Sequence, residues 1–379
     1  MNEEKILLCL CHMGGGEQKY IQEAFDDNWI VPLGPHVTRF EQQLSGYAEN
    51  RHIVALSSGT AAIHLGLIQL GVGRDDEVIC QSFTFSASAN PITYLGAKPI
   101  FVDSETETWN MSPILLRKAI DDRYRVTGRL PKAIIIVDLY GMPANYNELL
   151  KVAADYNIPV LEDAAEAFGS RYDGKFCGSF GQYGAFSFNG NKMITTSGGG
   201  ALVCPTQEDS KHALFLATQA RENVAYYHHK EIGYNYRLSN VSAAIGLGQM
   251  EILESHLAHH RRIHNLYLQA FADNKAIILQ NNPNNLYDSN YWLCNILLNP
   301  DYTNKTPEDL RLTLAAHNIE SRRLWKPMHL QPVFAKSPTY IDGTSEDLFN
   351  RGLCLPAGPW VGDKEFERIV DVISTFINS

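Results

Sequence analysis

Cysteine is sparse in this chain. Seven thiols lie scattered among 379 residues (Cys9, Cys11, Cys80, Cys177, Cys204, Cys294 and Cys354), and no two form a CxxC pair. That scatter excludes a disulfide-stapled scaffold, and Cys9/Cys11 has no second pair with which to complete a tetrahedral zinc site. The expectation is reduced thiols in a cytoplasmic protein that holds no metal. Long hydrophobic runs are missing too. The sequence begins acidic where a signal peptide would begin basic, and its first apolar stretch spans only about six residues, too short for a signal peptide or a membrane span. Basic charge is in deficit: 32 Lys+Arg against 42 Asp+Glu give a formal charge of -10. Nucleic acid and anionic membranes are therefore not expected as general partners. No GxxxxGK[ST], no GxGxxG after a strand and no GxSxG elbow occurs, which leaves P-loop hydrolysis, dinucleotide binding and serine-hydrolase chemistry unsupported.

What is present is the composition of an ordinary globular protein, 45% hydrophobic and 20% charged, with length enough for two domains. Short β-branched apolar runs recur at Ile53 to Leu56, Glu77 to Cys80, Pro99 to Val102, Ala133 to Val137, Ile158 to Leu161, Gly184 to Phe188 and Ala201 to Val203. Each precedes a small-residue turn and a helical pattern, which predicts an α/β fold with a seven-stranded, mostly parallel sheet buried on both faces. After Asn240 the texture changes. Helical periodicity runs from Val241 to about Ala272, followed by an isolated strand (Tyr291 to Leu298), an apolar turn (Leu353 to Pro356) and an amphipathic helix from Asp363 to Ile377. This predicts a large domain over residues 1–250 and a smaller C-terminal α+β domain over 251–379. His256, His259, His260 and His264 repeat at helical spacing but lack HExxH, and the simplest expectation is a solvated helix face.

In parallel sheets ligands gather at the carboxyl ends of the strands, so the residues just after each run matter most. Ser57-Ser58-Gly59-Thr60-Ala61 opens a helix with free N–H groups, a glycine and hydroxyls, which suits either a phosphate or a simple N-cap. Asp163 follows a buried strand, where it can cap a helix, bind a ribose or metal, or partner a protonated ring nitrogen. Lys192, in Asn189-Gly190-Asn191-Lys192, sits between a buried strand and the glycines 198–200. Lysine is seldom placed there unless its amine does chemistry: a desolvated amine is a nucleophile toward aldehydes, as a Schiff base with pyridoxal phosphate requires. Together the three signals describe a site for that cofactor. Asp163 and Lys192 lie 29 positions apart, about one strand-helix-strand unit.

The ordered motifs SSGTAA, SFTF, EDAAEAFGS, FSFNGNK, TSGGG and GYNYR resemble the DegT/StrS-type pyridoxal-phosphate-dependent sugar aminotransferases, over about Asn28 to Pro356. The resemblance implies the aspartate-aminotransferase-like fold (fold type I). It makes Lys192 the lysine that carries the cofactor and Asp163 the partner of the pyridinium nitrogen. It places Phe85 on the cofactor ring, Gly59, Thr60, Ala61 and Ser187 on its phosphate, and Glu166 near the ring hydroxyl, where Gln or His is commoner. Asn235 would reach the phosphate of a neighbouring subunit, so the enzyme would be a homodimer with shared sites. Lysine rather than histidine at 192 favours transamination over sugar dehydration. NWIVPLGP, RRLWKPMHLQP, RGLCLP and the acidic Glu166 look most like the members that aminate UDP-linked N-acetyl-4-keto-6-deoxy sugars, as in bacillosamine biosynthesis, with L-glutamate as donor. Amination at C3, a dehydratase, and a non-catalytic cofactor-binding regulator are the alternatives. Arg322, Trp325 and His329 fall at the implied substrate mouth. Arg237 would serve either the glutamate carboxylate or the dimer interface, and Trp29 would contact sugar or pack between subunits.

Overall fold

The computed structural model describes residues 4–379. All seven expected runs form strands: β1 (His52–Leu56), β2 (Glu77–Gln81), β3 (Lys98–Val102), β4 (Ala133–Val137), β5 (Val160–Asp163), β6 (Tyr183–Ser187) and β7 (Gly200–Cys204). Ala133–Val137 reads AIIIV and is buried throughout, as β-branched residues covered on both faces must be. An eighth strand, β8 (Thr339–Tyr340), arrives from the C-terminal half and pairs in parallel with β3. The sheet order is β1-β7-β6-β5-β4-β2-β3-β8. Only β7 runs against its neighbours, pairing antiparallel with both β1 and β6.

The register fixes the functional edge. Val137 of β4 stands opposite Asp163 of β5, and Asp163 opposite Ala185 of β6. Gly200, the first residue of β7, stands opposite both Leu56 and Ser187. The chain leaving β1 therefore turns into its helix (Gly59–Gln69) directly beside Ser187, and Ser58 Oγ caps that helix by accepting the Ala61 N–H.

Beyond the sheet, the structure corrects three sequence readings. The strand expected to stand alone is Cys294–Leu298, and it is the second of four antiparallel strands with Ile277–Leu279, Gly352–Leu355 and Arg322–Arg323. The expected apolar turn at 353–356 is one of those strands. The helices Pro307–Ala316 and Asp363–Asn378 supply Leu310, Leu314, Ile369 and Ile373 to the apolar core of this second unit. The third correction concerns the histidines. His256, His260 and His264 on the long helix Asn240–Ala270 are buried rather than solvated. Burial pushes His260 down to about 3 and His264 down to about 4, so both are neutral.

The long helix joins the two cores. Leu253 and Leu257 pack with the large sheet, whereas Ile263 and Tyr267 pack with the small one. Residue 250 thus lies inside a continuous helix, and Ile6, near the start of the chain, packs in the second core beside Ile319. No helix among the described residues is long and apolar enough to cross a membrane.

Candidate active site

The carboxyl ends of β1, β5 and β6 surround a cavity of about 520 Å³. Gly59, Thr60, Phe85, Asp163, Glu166, Ser187, Lys192, Arg322 and Trp325 line it, so nine of the residues singled out from sequence come together in one place. Lys192 and Asp163 both line it, although the stretch between them folds as a short antiparallel hairpin (Arg171–Tyr172 with Lys175–Phe176) and not as the strand-helix-strand unit their spacing implied.

Asp163 is fully buried and closely held. Its Oδ2 accepts the Ser88 hydroxyl at 2.6 Å, and Oδ1 accepts the Ala165 N–H at 3.2 Å. Burial raises its pKa, opposed by those hydrogen bonds and by the Lys192 charge. Ser88 is itself paired with Thr84 at 2.7 Å, so the carboxylate is fixed by a two-hydroxyl relay from the SFTF segment and the helix after it. Lys192 Nζ is 3.1 Å from Glu166 Oε1 and 3.9 Å from the centroid of the Trp292 ring. Glu166 Oε2 accepts the Tyr140 N–H at 2.7 Å, and burial raises this carboxyl while Lys192 pulls it back. Tyr140 adopts a left-handed backbone (φ 56°) just after β4, which aims its N–H at Glu166. Its hydroxyl accepts the Trp325 N–H at 2.9 Å. Trp325 in turn lies 4.9 Å from the Phe85 ring, and Phe85 is more than half exposed at the mouth.

The residues fit pyridoxal phosphate. Serine and threonine hydroxyls at a helix N-terminus, a buried carboxylate and an amine line the one cavity. Gly59 leaves room between this helix start and β6: a Cβ there would lie 3.0 Å from Ser187 Cβ.

Five expected residues stand elsewhere. Ala61 is buried as the third residue of the helix, its N–H used by the Ser58 cap. Arg237 is no free anion receptor, because it is buried in an ion pair with Glu41 and also donates to the Ala55 carbonyl at 3.1 Å. His329 is held between Ser82 Oγ at 2.7 Å and Glu346 at 3.1 Å. Trp29 and Asn235 are exposed outside this chain's cavity. Ser88, Tyr140 and Trp292 were not visible in the sequence, since each reaches the site through contacts that no local motif encodes.

Fold and cavity together define a pyridoxal-phosphate-dependent transferase of amino groups. Residues 12–374 match the model of the DegT/DnrJ/EryC1/StrS aminotransferase family, and the chain belongs to that family. Among its relatives is EpsN of Bacillus subtilis, provisionally assigned as a pyridoxal phosphate-dependent aminotransferase. It is 46% identical over 98% of this chain and 95% of its own length. GDP-perosamine synthase of Escherichia coli O157:H7 is 37% identical over 96% of each chain. The crystal structure of a family aminotransferase from Brucella abortus superposes with a TM-score of 0.89, at 30% identity, over 96% of this chain and 95% of that one. The protein is an aminotransferase of nucleotide-linked sugars that uses pyridoxal phosphate.

Proposed function

We propose that the protein moves the amino group of L-glutamate onto C4 of a UDP-linked N-acetyl-4-keto-6-deoxy sugar, in the cytoplasm, at a site shared between two copies of the chain. The observation that carries the transaminase reading is the meeting of Lys192, Asp163 and the Ser57–Thr60 turn in one cavity. Pyridoxal phosphate, when bound, supplies the electron-withdrawing ring that lets Cα of the amino donor lose a proton. The turn and Ser187 would hold its phosphate. Asp163 would keep the proton on the ring nitrogen, and the Ser88 hydroxyl, donating to Oδ2, keeps Asp163 in place. Lys192 Nζ, steadied by Glu166 and the Trp292 face, moves the proton at Cα. Phe85 and Trp325 exclude water from the mouth, and Arg322, more than half exposed there, receives the anionic substrate.

Glu166 and the segments around Trp29, Trp325 and Leu355 support the UDP-N-acetyl sugar. The free state of all seven cysteines agrees with a cytoplasmic protein. Asn235, exposed here, is suited to completing the partner's phosphate site. The test is a screen of UDP- and GDP-linked 4-keto-6-deoxy sugars with L-glutamate, read by mass and NMR. Amination at C4 of the UDP-N-acetyl sugar is expected; a C3 amine, or turnover of GDP sugars alone, would overturn the assignment.

A further inference from the structure

The segment carrying Lys192 joins β6 to β7 without belonging to either, so its carbonyls have no strand partners. Gly190, Asn191 and Lys192 are half-buried, and carbonyls withdrawn from water need other partners. Asn189 O accepts the N–H of Lys192 itself at 3.0 Å, and Gly190 O accepts the Cys11 N–H at 3.3 Å. Asn191 O accepts Cys9 Sγ at 3.0 Å and Trp292 Nε1 at 2.6 Å. Lys192 O accepts Cys11 Sγ at 2.9 Å. The three carbonyls from Gly190 to Lys192 are thus met entirely by the N-terminal arm and by a residue from the other half of the chain.

We propose that Cys9, Cys11 and Trp292 are positioning residues for Lys192, their side-chain donors fixing the backbone from which the reactive amine projects. The inference rests on the reading of Lys192 as the cofactor lysine. Cys9 and Cys11 both turn their thiols to the lysine segment, whereas the intervening Leu10 is exposed. Burial pushes both thiols up to about 12, so both keep the proton they donate. Trp292 acts twice, since its indole N–H holds Asn191 O while its ring lies under Lys192 Nζ. The spacing that made no sense as a metal site is the spacing of a brace.

The test compares the Cys9→Ala/Cys11→Ala double variant with Cys9→Ser/Cys11→Ser, which keeps two donors. In the cofactor-free protein, hydrogen exchange is followed at the amides of Lys192, Thr195 and Thr196. The alanine pair is expected to exchange about tenfold faster there, with the serine pair close to wild type. Trp292→Phe, which keeps a ring and loses the donor, is expected to accelerate the same amides. With cofactor loaded, kcat falls in the alanine pair with little change in KM and recovers in the serine pair. Unchanged exchange in the alanine pair, or serine behaving as alanine, would overturn the proposal. Because exchange is read without cofactor, that failure is distinct from failure of Lys192 to bind pyridoxal phosphate, which a mass spectrum reports separately.

Discussion

Asp163 illustrates how a single carboxylate is prepared for its task. Buried in full, it is kept usable by a hydroxyl, an amide and a nearby ammonium rather than by water. Asp163→Asn retains this shape but places no negative charge beside a ring nitrogen. It should bind pyridoxal phosphate while losing about a hundredfold or more in turnover, measured as kcat with cofactor occupancy read by absorbance. Near-normal rates would mean the ring nitrogen has another partner. Two further carboxyls lie beneath it. Asp138 and Glu162 are fully buried beside each other and Cys177. Tyr146 and the Ala144 N–H hold one Asp138 oxygen, and backbone N–H groups of residues 178, 180 and 181 hold Glu162. Burial, then mutual repulsion, raises the Asp138 pKa well above its usual range. A raised folded-state pKa means the contribution to stability is complete below the ordinary carboxylate range and is lost as pH rises. Asp138→Asn removes that loss. Its stability relative to wild type should therefore grow with pH, by up to about 1.4 kcal/mol per unit, in denaturant melts from pH 5 to 9. Asp163 and Lys192 were legible in sequence because each closes or follows a buried strand. The partners of Arg237 and His329, Glu41 and Glu346, were not legible because they sit on other elements.

At the scale of elements, the apolar runs disclosed all seven main strands because a buried parallel strand has to be continuously apolar. They could not disclose direction. Gly184–Phe188 and Ala201–Val203 look alike as sequence, yet β7 alone is reversed, and β8 has only two residues to announce it. Periodicity likewise gave the long helix nearly to its ends but not the burial of its histidines, which the second core decides from a distance. The reversal of β7 has a steric condition. A Cβ at Gly200 would stand 2.6 Å from the Ser58 carbonyl oxygen, on the turn proposed to hold the phosphate. Gly200→Ala should displace that turn and weaken pyridoxal phosphate binding at least tenfold, measured by cofactor titration, with a smaller effect on the melting temperature.

For the whole molecule, the exposed apolar side chains have a pattern. Trp29, Ile30, Val31 and Leu33 crowd the segment before one helix, and Tyr226, Tyr227 and Ile232 the segment before Asn235. Clustered apolar patches of this kind suit a partner of the same kind. If Asn235 completes the neighbour's site, Lys192→Ala and Asn235→Ala proteins, each weak alone, should recover activity when refolded together. The mixed dimer has one site with both changes and one with neither, so about a quarter of wild-type activity is expected. No recovery would leave each chain with its own complete site. The central claim is that Lys192 is where pyridoxal phosphate is held. Borohydride reduction of the loaded protein, followed by peptide mass analysis, tests it most directly. The peptide containing Lys192 should carry the phosphopyridoxyl group, and Lys192→Ala should carry none anywhere; label on another lysine, or none on the wild type, would contradict the account.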